Sequence, residues 1–313
     1  MPLFGRKSGD EKQQGDDQRA AQEQALRDQQ ASIDSLAAGG LPTQATRRLE
    51  ETRKHPGMFT SDLSVDEFLL VKEAGFQPIT QVMGSSVYHV GFQRMMGGSR
   101  WAGFGSQELT MVSGAMNHAR ALALGRLDQE ARLAGADAVV GVRVTRGEYD
   151  WAANQIEFQT IGTAVRLTGR EPASEPTLTN LSGQDFWKLL RAGYAPRGIV
   201  AATSVFYVAA SWVTQNATNW LGGVYNQELQ DFTAGLYQAR ASAMGQVRRQ
   251  AAETRAGGIV GMVIERHERE VELDTGGGSR TDMIFTFHVM GTAITPIPGD
   301  HPAPNPEFVV PMS

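Results

Sequence analysis

Residues Gln107–Val144 read QELTMVSGAMNHARALALGRLDQEARLAGADAVVGVRV, and residues Gln227–Ile264 read QELQDFTAGLYQARASAMGQVRRQAAETRAGGIVGMVI. In the first stretch Val112, Met116, Ala119, Ala123, Leu127, Ala131 and Ala134 recur at the spacing of one helix face. At an offset of 120 the second stretch supplies Phe232, Leu236, Ala239, Ala243, Val247, Ala251 and Thr254. Small residues in the middle of each face let a helix approach a sheet or another helix closely. The run Ala138-Val139-Val140 that follows suits a strand buried on both faces. Two copies of one long helix feeding one strand predict a duplicated α+β domain.

Working outward, Ser64 opens SVDEFLLVKEAGFQPI and Ser182 opens SGQDFWKLLRAGYAPRGI. Ser64 and Glu67 stand in the spacing of a capping box. An offset of 118 superposes Phe68 on Phe186, Gly75 on Gly193 and Pro78 on Pro196, so both opening helices stop at a glycine and turn at a proline. Next come β-type runs, Ile79–Phe92 and Ile199–Val213, and then Gly- and Trp-rich loops. After the long helix, Gly162-Thr163-Ala164 matches Gly291-Thr292-Ala293, and the second copy carries a longer hairpin around Asp274–Gly278. A helix over Glu108–Ala134 would be about 40 Å long, against about 27 Å for a strand over Ala138–Thr145. The excess predicts packing against the other copy or another chain.

The spacing therefore divides the chain into a flexible polar segment over 1–60, a first domain over 64–167, a second over 182–295 and a proline-rich tail over 296–313. The first 40 residues are rich in Gln, Asp, Arg and Ala and poor in aromatics, so they are expected to be mostly disordered. Within the segment, Gln18–Ala38 has helical propensity up to Gly39-Gly40, and Leu41-Pro42-Thr43 starts a short helix through Arg53.

With 313 residues the chain suffices for two domains of about 100 residues, and its composition is that of a soluble protein. A net charge of -5 without a basic run argues against a nucleic-acid partner. The absence of cysteine removes disulfides, thiolate nucleophiles and thiolate metal sites. No secretory leader is legible at the start, and Ile199–Val213, the longest apolar window, is too short to span a bilayer. Those features predict a cytoplasmic protein without a transmembrane segment.

None of the six histidines recurs between the copies: His89 aligns with Tyr207, His118 with Gln238 and His288 with Gln159. No phosphate loop, dinucleotide fingerprint or GxSxG elbow is present. No catalytic residue, metal ligand or cofactor is therefore assigned. What recurs is Glu108 with Glu228 at the helix starts, where a carboxylate meets the positive end of the dipole, and Arg120 with Arg240 in an Ala-Arg dipeptide. These residues are candidates for an ion pair at an interface or for a ligand contact. Trp101 and Trp220, in the loops before the long helices, are candidate interface or flat-ligand contacts.

The Gly-rich loop, the glutamate at the helix start, the AR…A…L..EA pattern and GADAVVGVRV together resemble the YbjQ family, which carries a heavy-metal-binding label. The resemblance covers Phe76–Leu167 with specific motifs and Tyr194–Thr295 more weakly, since GADAVVGVR has become AGGIVGMVI. It implies a small dodecin-like α+β domain that assembles into rings, typically pentamers, through strands and long helices, and implies no reaction. The expectation is a non-enzymatic, ring-forming scaffold or binding protein, as a pentameric ring or two stacked pentameric layers. Its N-terminal segment would be displayed in several copies to a protein partner. The alternative is a metal- or small-ligand-binding protein with sites at domain or subunit junctions.

Overall fold

The computed structural model describes residues 7–55, 58–90, 105–148, 155–169, 171–218, 226–274 and 279–299. In chain order the elements are helices α1 (Lys7–Ala37), α2 (Thr43–Lys54) and α3 (Val65–Glu73), strands β1 (Phe76–His89) and β2 (Gln107–Glu108), and helix α4 (Thr110–Ala134). Strands β3 (Ala138–Glu148), β4 (Gln155–Leu167) and β5 (Thr177–Leu178) follow, then α5 (Gly183–Arg191), β6 (Tyr194–Val208) and α6 (Trp212–Thr218). Helix α7 (Gln230–Glu253) and strands β7 (Gly258–Asp274) and β8 (Ser279–Pro296) complete an α+β fold. No described helix is long and apolar enough to cross a membrane.

Two four-stranded sheets form, in the orders β1-β4-β3-β5 and β2-β6-β8-β7. Their registers correspond: Gly84 faces Thr160 as Ala202 faces Val289, and Ser86 faces Phe158 as Ser204 faces Phe287. Both first strands shift register after a proline, at Pro78/Thr80 and Pro196/Gly198. Both middle hairpins shift again, at Val140/Arg143 and Val260/Val263. Gly141 and Gly261, with φ of 68° and 61°, sit in those second shifts, the left-handed conformation in which a bulge favours glycine. Each sheet also carries one strand from the other half of the sequence: β2 precedes α4 yet pairs with β6, and β5 precedes α5 yet pairs in parallel with β3.

The face anticipated for the long helix is the one buried. Val112, Met116, Ala119, Ala123, Leu127, Ala131 and Ala134 are all buried on α4. The helix lies so close to β1 that a Cβ at Gly84 would overlap the carbonyl of Ala123. Thr160 Oγ1 donates within reach of both the Gly84 and Ala123 carbonyls, at 3.0 and 3.1 Å. In the second half, Ala239, Ala243, Val247 and Ala251 of α7 pack with Val200, Ala202, Phe206 and Val208 of β6. The opposite face of that sheet is also covered, because Val205, Tyr207, Leu273 and Ile284 pack with Met116, Ala119, Ile156 and Phe158. Strand β6 is therefore buried on both faces from Val200 to Val208.

Ser64 caps α3 with the anticipated capping box, reciprocated by Glu67. The described N-terminal residues are helical. From Arg19 onward α1 is mostly exposed and polar, whereas α2 docks: Leu49 is 1% exposed and Arg48 reaches Glu130 of α4 at 2.6 Å. One apolar residue and one cation anchor α2, too small a signal to stand out in a polar segment. The run read as β through Val213 ends at Val208, and Trp212 and Val213 form exposed parts of α6.

The two long helices end differently. Gly135 closes α4 in the left-handed conformation, and at the corresponding place Arg255 holds φ of 56°. A side chain in that region costs on the order of 1–2 kcal/mol, part of which glycine returns as unfolded-state entropy. The variant Arg255→Gly is expected to raise unfolding free energy by about 1 kcal/mol, measured by urea denaturation. An unchanged or lowered midpoint would contradict this reading of the α7 terminus.

Candidate functional site

Where the two halves meet, helix α4 lies along the open edge of β6 and serves it as a neighbouring strand would. Ser113, Asn117 and Arg120 share one stripe of the helix at i, i+4 and i+7. The Asn117 amide pairs with both backbone groups of Thr203, accepting from its N–H at 2.9 Å and donating to its carbonyl at 2.8 Å. Ser113 Oγ accepts from Val205 N–H at 2.9 Å, and Leu109 N–H donates to the Val205 carbonyl at 2.7 Å. From α7, the Gln250 amide makes the same two-sided pairing with Ala201, at 2.9 and 3.0 Å.

Arg120 is 6% exposed and donates to Thr203 Oγ1 (2.5 Å), Asn117 Oδ1 (2.5 Å) and the Ala201 carbonyl (2.9 Å). All three acceptors are neutral, and burial lowers the guanidinium pKa to about 10, so it stays charged at neutral pH. Thr203 continues the chain to His288, with Oγ1 and Nδ1 2.8 Å apart. Arg146 of β3 approaches His288 Nε2 at 3.3 Å. Arginine only donates, so Nε2 must accept, which places the imidazole proton on Nδ1, facing Thr203. Burial, then Arg146, Arg120 and His267, lower the His288 pKa to about 3. Arg120, Arg146, His288, Glu265, Phe158 and Met290 border a cavity of about 50 Å³. That is well below the roughly 300–1,000 Å³ of a small-molecule site.

Glu108, in β2, accepts from Ser204 Oγ at 3.1 Å and Ser242 Oγ at 2.8 Å. Glu108 and Arg120 both hydrogen-bond to neutral partners here. They stand twelve positions apart, roughly 18 Å along a helix, and each fastens a different part of the junction. Glu228 and Arg240 are exposed. Trp101 and Trp220 lie outside the described residues. Thr203, Asn117 and His288 were not candidates from sequence. The stripe Ser113-Asn117-Arg120 carried the signal, since three polar residues beside the apolar face match an edge-capping role as well as a solvated one.

Farther along the second sheet, Tyr207 donates its hydroxyl to Asp282, which also accepts from Ala210 N–H at 2.8 Å and is paired with Arg280 at 2.8 Å. Burial and the Asp282 carboxylate push the tyrosine pKa up to about 12. Among the described residues no group of three or more His, Cys, Asp or Glu side chains could hold a metal ion.

Residues 77–168 match the YbjQ family model, described as "Putative heavy-metal-binding". The chain is 36% identical over 282 residues to "Encapsulin nanocompartment protein Rv1762c" of Mycobacterium tuberculosis, covering 88% of this chain and 99% of the relative. No solved structure matches significantly.

The His288 geometry has a pH consequence. Its folded pKa of about 3 lies below the ordinary 6.5, so between those values the unfolded chain binds the extra proton. Stability is full above about pH 6.5 and is lost as pH falls toward 3, at up to about 1.4 kcal/mol per unit. Replacement His288→Gln, the residue at the corresponding Gln159, should flatten the stability profile between pH 7 and 5 by about 2 kcal/mol. Parallel profiles for the two proteins would contradict the assignment.

Proposed function

Because the chain belongs to the YbjQ family, we propose that it is a non-enzymatic assembly protein in which two YbjQ-like halves, 64–167 and 182–295, form a closed ring with further copies. The observation that carries this reading is the junction just described. The second sheet takes strand β2 from the first half and the first sheet takes strand β5 from the linker, and the polar groups of the seam are spent on backbone partners and on each other. Such use of side chains suits a structural joint. The relative's name supports the same class of role, and its setting, an encapsulin nanocompartment, is the context proposed for this chain. The domain division carries with it the segment 1–60 and the tail 296–313.

Exposed α1 extends this reading to partners. In a ring it is presented several times over, and repeated weak contacts to one protein surface then gain by effective concentration. Of the candidate residues, Glu108 and Arg120 act inside the chain, and Glu228 and Arg240 belong to faces that other copies meet.

Native mass spectrometry of the full-length protein tests the proposal. The expected result is one homo-oligomer of fixed subunit number with no constant added mass. A monomer at micromolar concentration would overturn the ring. A constant added mass would replace the scaffold by a metal- or ligand-binding role at the junctions.

A further inference from the structure

The internal junction has two sides, and each has a counterpart at a sheet edge elsewhere in the chain, β7 and β1 being edge strands among the described residues. We propose that a second copy of this chain docks head to tail, repeating between chains the contact that joins the halves within one. The inference rests on the assembly reading and adds to it which surfaces meet, in which register.

The linker defines one part of the contact. Thr177 and Leu178 pair in parallel with Ala138 and Val139 of β3, Thr179 N–H donates to the Val139 carbonyl, and Gly141 and Val142 donate to the carbonyls of Leu181 and Thr179. The linker is held to its own half by Thr292 Oγ1, which meets Thr179 Oγ1 at 2.9 Å and accepts from Asn180 N–H at 3.1 Å. The segment before the first half is built alike. Thr163 Oγ1, the counterpart of Thr292, meets Ser61 Oγ at 3.4 Å and accepts from Asp62 N–H at 3.0 Å. Thus 59–63 is already held as 177–181 is held, and β7, the counterpart of β3, has a sheet partner on one side only. Gly258–Val260 and Met262 are only partly buried, where the corresponding Ala138–Val140 and Val142 under the linker are buried. In the repeated contact Thr60 of one copy lies beside Ile259 of the next, as Leu178 lies beside Val139.

The second part is the edge-capping stripe. Ser113, Asn117 and Arg120 correspond to Thr233, Tyr237 and Arg240 on α7, and Tyr237 is 63% exposed. The groups they cap, Ala201, Thr203 and Val205, correspond to Met83, Ser85 and Val87 of β1, with Val87 56% exposed. Hydroxyls are kept where hydroxyls are used: Thr233 stands for Ser113, and Ser85 for Thr203. Inside the chain Arg120 shares the Ala201 carbonyl with neutral Gln250. In the first half the counterpart of Gln250 is Glu130, buried and already held by Arg48 at 2.6 Å and by Met83 N–H at 2.9 Å, and Arg240 of the second copy would approach that ion pair. A third contact agrees: Gly183, buried against Glu67 and Val71, corresponds to Val65, exposed at 75%. A ring closed in this way holds an even number of halves in one circuit, unlike two separate five-membered layers.

The chain has no cysteine, so introduced pairs are its only thiols. The full-length double variant Thr60→Cys with Ile259→Cys is expected to give, on mild oxidation, a ladder of covalent multimers on a non-reducing gel. The internal control, Val139→Cys with Leu178→Cys, gives a single-chain band because strand neighbours are within disulfide reach. Separately, Arg240→Glu is expected to abolish the oligomer seen by native mass spectrometry while leaving the circular dichroism melt unchanged, since the residue is exposed. A closed control without a ladder, or an Arg240→Glu protein that keeps its oligomer, overturns this contact and leaves the ring reading standing. A monomeric parent protein overturns both and gives these faces to a different protein.

Discussion

The edge of β6 has to be satisfied without water, and the rest of the structure depends on how that is done. The strand is covered on both faces, and its six outward backbone groups at Ala201, Thr203 and Val205 are met by Gln250, Arg120, Asn117, Ser113 and Leu109. Leaving one buried polar group unpaired costs about 1–3 kcal/mol, so the set amounts to on the order of 10 kcal/mol. That equals the whole stability of an ordinary domain, about 5–15 kcal/mol. Helix α4 therefore cannot separate from the second sheet without unfolding it, and the two halves act as one unit joined at a polar seam. Helix cover of a sheet edge also removes a site at which foreign strands would add.

Much of the fold was legible because it rests on periodicity. The seven positions of the α4 face, the Ser64–Glu67 capping box, the stop at Gly135 and the matched halves of each hairpin are all local patterns, and each appears where its spacing puts it. The junction was not legible in the same way. Ser113, Asn117 and Arg120 look solvated when α4 is considered alone, and only the β6 backbone, some 85 residues away in sequence, gives them partners. His288 fared likewise. Its failure to recur against Gln159 argued for an ordinary strand histidine, and burial beside Arg120 and Arg146 makes it a neutral link in a chain of hydrogen bonds. Glu108 and Arg120, which recur in the sequence, stand at the junction with neutral hydrogen-bond partners that spacing alone does not reveal. The overhang of the long helix pointed correctly to contact with the other copy, since length is fixed by residue count whatever the partner.

The differences between the halves follow the same physics. Ala138–Val142 is covered by the linker strand and is almost wholly buried, whereas the matching Gly258–Met262 of β7, which pairs with β8 alone among the described residues, is only partly buried. Arg120 is locked by three neutral acceptors, and Arg240, at the same step of the repeat, is exposed. Gln250 is neutral where its neighbour is a buried guanidinium and its acceptor a carbonyl; Glu130, in the matching place, is charged and holds Arg48 of α2. An unpaired carboxylate away from water would be expensive in either place. Glu130 is itself buried, at 3% exposure, and the carboxylate is tolerated there because Arg48 pairs with it and Met83 N–H donates to it. The linker-covered strand carries GADAVVGVR at its buried start, and the edge strand carries AGGIVGMVI. Burial along the two corresponding strands thus follows which sheet edges the described chain covers with its own segments.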